Sequence, residues 1–256
     1  MKLFITNRKK QRISILADKA DNQIGLAFVM HGLGGFKEQP HIQAFAESFL
    51  GLGFTVIRFD TTNTLGESDG DYQDATTTNY YEDLEDVIQW ASKQGWYQEP
   101  FFLAGHSLGG ISTALFAENY PGRVKALAPI STVVSGKLFL DNLPKKDLDE
   151  WERTGFKAAA SRSKPGIVKK LKWHQFKNDI LKYDLLEEVS ALKMPVLLIV
   201  GDKDTGTPIE HQQIFYDALP AEKEMHVIRD AQHTFRGETQ LKQISGILTK
   251  WIHRNI

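Results

Sequence analysis

The stretch "FFLAGHSLGG" sets a serine between two glycines, Gly105-His106-Ser107-Leu108-Gly109, where an apolar run meets a helical one. This is the pattern G-x-S-x-G. A serine on so sharp a strand-to-helix turn projects its hydroxyl while its own backbone is strained, and the glycines leave room for the helix packed behind it. The chemistry that follows is attack on an acyl carbon. A serine hydroxyl is a weak nucleophile alone, so it needs a base within hydrogen-bond reach and a third group to orient that base.

Eight histidines are candidates for the base: His31, His41, His106, His174, His211, His226, His233 and His253. His226 falls in a predicted strand, His211 and His253 in predicted helices, His41 at the start of a helix, and His174 in a charged segment. His233 instead follows the last predicted strand, in "RDAQHTFRGE", at the carboxyl end where the serine turn also lies. The third group is expected past the end of another strand, where "PVLLIVGDKDTGTP" offers Asp202 and Asp204. An acyl transfer also needs two backbone N–H groups for the developing oxyanion. One is expected from Leu108, at the start of its helix. The other is expected from the glycine-rich loop "MHGLGGFKE", at Leu33, with Gly34 as the alternative.

These residues require a scaffold of alternating strands and helices. "KLFIT" and "RISILA" flank a polar turn and predict an opening hairpin, and "IGLAFVMHG", "FTVIRFD", "PFFLAGHS", "RVKALAPI", "PVLLIVG" and "MHVIRD" read as strands. Between them, Ile42, Phe45, Ala46, Phe49 and Leu50 carry helical spacing, as do Tyr81, Leu84, Val87, Ile88 and Ala91. Further helices are predicted over Leu108 to Asn119, Ile209 to Leu219 and Leu241 to Ile252. The pattern implies an α/β fold with a mostly parallel sheet of about eight strands and helices on both faces. Residues 134–191 break the alternation: they are rich in Lys and Asp and contain no long β-run. They are expected to form a lid inserted into a core of residues 1–133 and 192–256, because ligands bind beyond the carboxyl ends of parallel strands, where this segment emerges.

Composition narrows the partners. With 256 residues, 41% of them hydrophobic, the chain is long enough for one substantial core. The 31 Lys+Arg and 32 Asp+Glu give a formal charge of -1, which supplies no global attraction to nucleic acid. There is no cysteine, which removes disulfides, thiolate nucleophiles and cysteine-held metals. No signal peptide or membrane span is read, no metal or cofactor site is evident, and a cytoplasmic location is expected.

Five segments stand in a telling order: "HGLGG", "RFDTTNTLGESDG", "GHSLGG", "GDKDTGTP" and the His233 loop. On these the chain resembles the α/β-hydrolase superfamily over nearly its whole length. It looks like the lid-bearing carboxylesterases, a group with cinnamoyl or feruloyl esterases, monoacylglycerol lipases and serine-aminopeptidase-like members. The order Ser…Asp…His is that of this superfamily and differs from the trypsin-like and subtilisin-like orders. In such enzymes G-x-x-D-x-x-x-P carries the acid, and that frame fits Gly201, Asp204 and Pro208, so the resemblance selects Asp204 and leaves Asp202 as a loop residue. One departure stands out: Thr62, Asn63 and Thr64 replace the usual G-H-G run, while Asp60, Gly66, Ser68 and Gly70 match.

The resemblance implies hydrolysis of a small-molecule ester, with small to medium acyl groups, through Ser107, His233 and Asp204 and an acyl-enzyme, without a cofactor. Trp151, Phe156, Trp173 and Phe176 of the lid are the candidates for an aromatic pocket suited to hydroxycinnamoyl esters. Thioester, amide or peptide hydrolysis uses the same three residues, and for a peptide amine Glu150, Trp151 and Asp179 are the candidates. A slow-turnover small-molecule receptor is the alternative from another functional class.

Overall fold

The computed structural model describes residues 1–161 and 164–256. Its strands are β1 (Lys2–Thr6), β2 (Arg12–Asp18), β3 (Gly25–Met30), β4 (Phe54–Phe59), β5 (Phe101–His106), β6 (Val124–Ile130), β7 (Phe156–Ala160), β8 (Val168–Lys172), β9 (Val196–Gly201) and β10 (Lys223–Ile228). Every residue of β3, β4, β5 and β9 is buried. Strands covered on both faces belong to a parallel sheet sandwiched by helices. The eight-stranded sheet runs β1-β2-β4-β3-β5-β6-β9-β10. The β1–β2 and β2–β4 pairs are antiparallel and the others parallel.

Alternation along each strand divides the core into two layers. Leu26, Phe28 and Met30 of β3 face one layer, and Ala27 and Val29 face the other. The Ala27 side is covered by α1 (Pro40–Leu50) and α8 (Glu238–Arg254), through Ile42, Phe45 and Phe49 and through Ile244, Leu248 and Trp251. Each fully buried side chain of this size contributes about 1.5–3 kcal/mol relative to exposure. The Phe28 side is covered by α2 (Thr77–Ala91), α3 (Leu108–Asn119) and α7 (Ile209–Ala218). Thr76 caps α2 by accepting from the Asn79 N–H (3.0 Å).

Between β6 and β9 the chain leaves the sheet and forms α4 (Gly136–Asp141), α5 (Lys145–Thr154), the β7–β8 hairpin and α6 (Trp173–Ile180). The hairpin differs from the sequence expectation of no long β-run. Its strands, "FKAAA" and "VKKLK", are five residues each, and lysines occupy positions where an amphipathic strand would carry apolar residues. Aromatic rings hold the excursion together: Trp151 meets Trp173 at 4.9 Å, and Phe176 meets Phe139 at 6.1 Å. Asp179 ties α6 to α2 by accepting from the Thr78 N–H (2.9 Å) and hydroxyl. Among the described residues no helix is long and apolar enough to cross a membrane.

Candidate active site

The site lies beyond the carboxyl ends of β3, β5, β9 and β10. Ser107 stands between β5 and α3 with φ 56° and ψ −115°, a left-handed conformation that costs a non-glycine residue about 1–3 kcal/mol. Its N–H donates to the Ile130 carbonyl (3.0 Å), which holds the turn against β6. Gly105 and Gly109 are sterically required: a Cβ on Gly105 would lie 2.3 Å from the Gly109 carbonyl oxygen, and one on Gly109 would lie 2.4 Å from that of His31.

The Ser107 Oγ donates to His233 Nε2 (2.9 Å), and His233 Nδ1 donates to Asp204 Oδ2 (2.9 Å) and Oδ1 (3.1 Å). Asp204 is the aspartate that the G-x-x-D-x-x-x-P frame selects. The Asp204 carboxylate is wholly buried, and it also accepts from the N–H groups of Gly206 (2.9 Å) and Thr207 (3.0 Å) and from the Thr207 hydroxyl (3.0 Å). Burial alone would raise this carboxyl, but the His233 ring and these backbone donors outweigh it and hold the group at about 2. Asp202 is exposed, and its N–H donates to the Ile228 carbonyl (3.1 Å). The two loops are laced together further by the Lys203 N–H, which donates to the Ala231 carbonyl (2.9 Å).

Three other histidines surround this chain of bonds in buried positions. His106 donates from Nε2 to the His233 carbonyl oxygen (2.7 Å), so the residue beside Ser107 fixes the backbone of the residue that bonds Ser107. Burial, with His233 close by, lowers the His106 imidazole to about 3 and keeps it neutral. His31 donates from Nδ1 to the Gly32 carbonyl (2.8 Å) and accepts the Thr61 N–H at Nε2 (3.1 Å). His41 packs its ring 4.6 Å from that of His106, and burial lowers it well below its ordinary value. Among the described residues no group of three or more His, Cys, Asp or Glu is placed to hold a metal ion.

The loop from Gly32 to Gly35 closes as a turn, with the Gly35 N–H donating to the Gly32 carbonyl (2.9 Å). The Tyr80 hydroxyl spans it by donating to Gly32 O (3.1 Å) and accepting from the Gly34 N–H (3.2 Å). Gly34 is thereby occupied, whereas the N–H groups of Leu33 and Leu108 carry no bond to another backbone group among the described residues. Behind the loop, Lys37 is fully buried against Asp60, with Nζ 2.7 Å from Oδ2 and the Lys37 N–H 2.7 Å from Oδ1. Thr64 of the departure segment holds the same loop by donating to the Gly35 carbonyl (2.6 Å), while Thr62 ties the segment to α2, donating to Asp83 from its N–H (2.6 Å) and hydroxyl (2.7 Å). Sequence reading missed Tyr80 and His106 because a side chain reaching a distant carbonyl leaves no local signal.

A cleft of about 380 Å³ opens onto Ser107 and His233. Its walls include Leu33, Tyr72, Phe139, Leu143, Lys157 and Lys169. Trp151, Phe156, Trp173 and Phe176, expected to line an aromatic pocket, are not among its lining residues. Trp151, Trp173 and Phe176 are consumed in the core of the insertion, and Phe156 points to solvent at 38% exposure. The candidates for a peptide amine are also elsewhere, Glu150 exposed and Asp179 engaged with Thr78. No Asp or Glu lines the cleft among the described residues.

Comparison with known proteins places the fold. The family model described as alpha/beta hydrolase fold matches residues 28–183. An uncharacterized 31.7 kDa Escherichia coli protein from the traX-finO intergenic region is 26% identical over 268 residues, covering 90% of this chain and 91% of that protein. The Bos taurus mitochondrial palmitoyl-protein thioesterase ABHD10 is 30% identical over 168 residues, covering 65% of this chain and 52% of that protein. Among solved structures, Est1E from Butyrivibrio proteoclasticus, determined with ferulic acid bound, superposes with a TM-score of 0.82 at 21% identity, covering 99% of this chain and 98% of that one. That likeness concerns the fold.

Proposed function

The chain belongs to the alpha/beta hydrolase fold family, and from that premise we propose that it is a serine hydrolase cleaving carboxylic esters by two-step acyl transfer. The observation that carries this reading is the unbroken line of hydrogen bonds from Ser107 Oγ through His233 to Asp204. His233 Nε2 takes the hydroxyl proton as Ser107 attacks the acyl carbon, while Asp204 holds the ring by its Nδ1–H and stabilises the imidazolium that forms. The oxyanion is received by the N–H groups of Leu33 and Leu108, the second aided by the N-terminal end of α3. His233 then returns the proton to the leaving group, and water attacks the acyl-enzyme by the same steps in reverse. In this reading residues 134–191 act as a lid, since Phe139, Leu143 and Lys157 of that segment wall the cleft.

Thioester hydrolysis is the second reading, favoured by the similarity to a palmitoyl-protein thioesterase. The same three residues serve both, because ester and thioester pass through the same tetrahedral oxyanion. A peptidase reading loses support from the absence of a carboxylate on the cleft wall among the described residues. The test is a kinetic panel of p-nitrophenyl esters, hydroxycinnamate esters, acyl thioesters and aminoacyl amides. Turnover of esters or thioesters with kcat/KM at least about tenfold above the amides supports the proposal; amide preference, or covalent labelling of Ser107 without turnover of any acyl substrate, contradicts it.

A further inference from the structure

The end of β6 holds two parts of the site at once. The Ile130 carbonyl accepts the Ser107 N–H (3.0 Å), and the next carbonyl, that of Ser131, accepts the Thr207 hydroxyl (2.9 Å). Ser131 is fully buried and holds φ 43°, a left-handed backbone that persists in a residue with a side chain only where the surroundings impose it. Its N–H donates to the Ile199 carbonyl of β9 (2.7 Å). Bonds to β9 on one side and to Thr207 on the other therefore fix this strained residue.

Thr207 Oγ1 also lies 3.0 Å from Asp204 Oδ2 and 3.2 Å from His233 Nδ1, so one hydroxyl meets both members of the acid–base pair. A hydroxyl donates one proton and accepts through two lone pairs. Here the proton is shared between the Asp204 carboxylate and the Ser131 carbonyl, a three-centre bond, while a lone pair receives the His233 Nδ1–H. Asp204 Oδ2 takes the His233 Nδ1–H and the Thr207 hydroxyl together, and Oδ1 takes the N–H groups of Gly206 and Thr207. Rotating the carboxylate breaks at least one of these bonds. A valine of the same shape would satisfy packing at this position, which is 2% exposed. Only the hydroxyl reaches the three polar atoms.

We propose that Thr207 is a positioning residue for acyl transfer: anchored on the Ser131 carbonyl, its hydroxyl holds the Asp204 carboxylate and the His233 imidazole in the orientation that turns Nε2 to Ser107. This rests on the ester or thioester hydrolase reading and adds a residue to its machinery. The nucleophile turn and the acid loop are then both set from consecutive carbonyls at the end of β6, which fixes the span that Ser107, His233 and Asp204 must bridge. Thr207 acts through Asp204 and His233, so its hydroxyl bears on kcat rather than on KM. No covalent chemistry beyond acyl transfer is involved.

The test compares Thr207→Val, which keeps the shape and removes the hydroxyl, with Thr207→Ser, which keeps the hydroxyl. On the best substrate of the kinetic panel, Thr207→Val is expected to lower kcat at least about tenfold with KM within about twofold, and Thr207→Ser to stay within about threefold of the wild type. Thr207→Ala, a second variant without the hydroxyl, should match Thr207→Val. Unchanged kcat in either hydroxyl-free variant, or a loss of about tenfold in Thr207→Ser, overturns the proposal. Action through the carboxylate is read in the Asp204→Asn background, where Thr207→Val should add no more than about twofold; an added loss of about tenfold overturns it. The ring-nitrogen NMR shifts of His233, assigned by their absence in His233→Gln, report the same contact without substrate. They should move in Thr207→Val and return in Thr207→Ser, and shifts that stay in place in Thr207→Val overturn the proposal. A wild-type protein that turns over no acyl substrate and takes no fluorophosphonate label sinks the hydrolase reading instead, and the NMR shifts still decide whether Thr207 orients His233.

Discussion

The loops that carry Ser107, Asp204 and His233 and the excursion beside them are held in place by different balances of contacts. In the loops, backbone N–H groups supply most of the anchoring, the Ser107 N–H on Ile130 O and the Lys203 N–H on Ala231 O, with the His106 ring added on the His233 carbonyl. In the excursion, side chains carry a larger share, through the Trp151–Trp173–Phe176 cluster and the Asp179 tie to Thr78, beside backbone bonds such as the Gly136 N–H on Tyr183 O. Ser107, Asp204 and His233 therefore follow the ends of sheet strands, while the cleft wall formed by Phe139, Leu143 and Lys157 stands on a small layer with its own aromatic core. Substitutions in the first region should remove turnover, and substitutions in the second should alter stability or choice of substrate.

The largest expected effect breaks the first region outright. Ser107→Ala and His233→Ala should each lower kcat for p-nitrophenyl esters by roughly 10⁶-fold, and Asp204→Asn by roughly 10⁴-fold. Asp202→Asn, exposed two residues away, should stay within about twofold in the same assay. If Asp202→Asn proved the crippling change, the acid would be misassigned. Next comes the core of the excursion. Trp173→Ala empties a fully buried site and should cost about 3–5 kcal/mol in denaturant unfolding. An effect under about 1 kcal/mol would mean that the excursion is not coupled to the sheet. Tyr80→Phe removes the hydroxyl that spans Gly32 and Gly34 and should lower kcat about tenfold with little change in KM. An equal change in KM would assign Tyr80 to ground-state binding.

The smallest effect is on acid stability. His106, at about 3 when folded, stays neutral where the unfolded histidine, near 6.5, takes up a proton. The unfolded state then binds more protons, so this contribution is full above about pH 6.5 and is lost as the pH falls toward 3. His31 and His41, also lowered by burial, act in the same direction. Tm should decline from about pH 6.5 downward, before most carboxylates titrate, and His106→Gln should flatten the decline. A Tm that stays level to pH 5 in the wild-type protein contradicts this.

The first region was legible in the sequence because its chemistry is tied to local form. G-H-S-L-G needs its glycines within two residues of Ser107, and the apolar runs before it and before Gly201 mark the strands that end there. The second region was not. The segment from Phe156 to Lys172 reads as a charged excursion, since Lys157 and Lys169 replace the alternation that reveals a strand, and only the register of the hairpin turns them toward the cleft. The aromatic residues invited the reverse error: Trp151, Trp173 and Phe176 read as a pocket because composition does not tell a lining from a core. Phe139 and Leu143, unremarkable in sequence, are the large apolar side chains of the excursion found in the cleft wall among the described residues. Thr62, Asn63 and Thr64 stand out in the sequence only as a departure; in the structure Thr64 holds the Gly32–Gly35 loop through the Gly35 carbonyl, and Thr62 ties the segment to Asp83 of α2.

The proposed acyl transfer requires Ser107 to be an activated nucleophile. The direct measurement is intact-mass analysis after exposure to a fluorophosphonate, with peptide mapping of the adduct. One adduct per chain is expected, on Ser107, absent in Ser107→Ala and formed at least about a hundredfold more slowly in His233→Ala. An adduct that persists in Ser107→Ala, or ester turnover by a protein that takes no label, would contradict that mechanism.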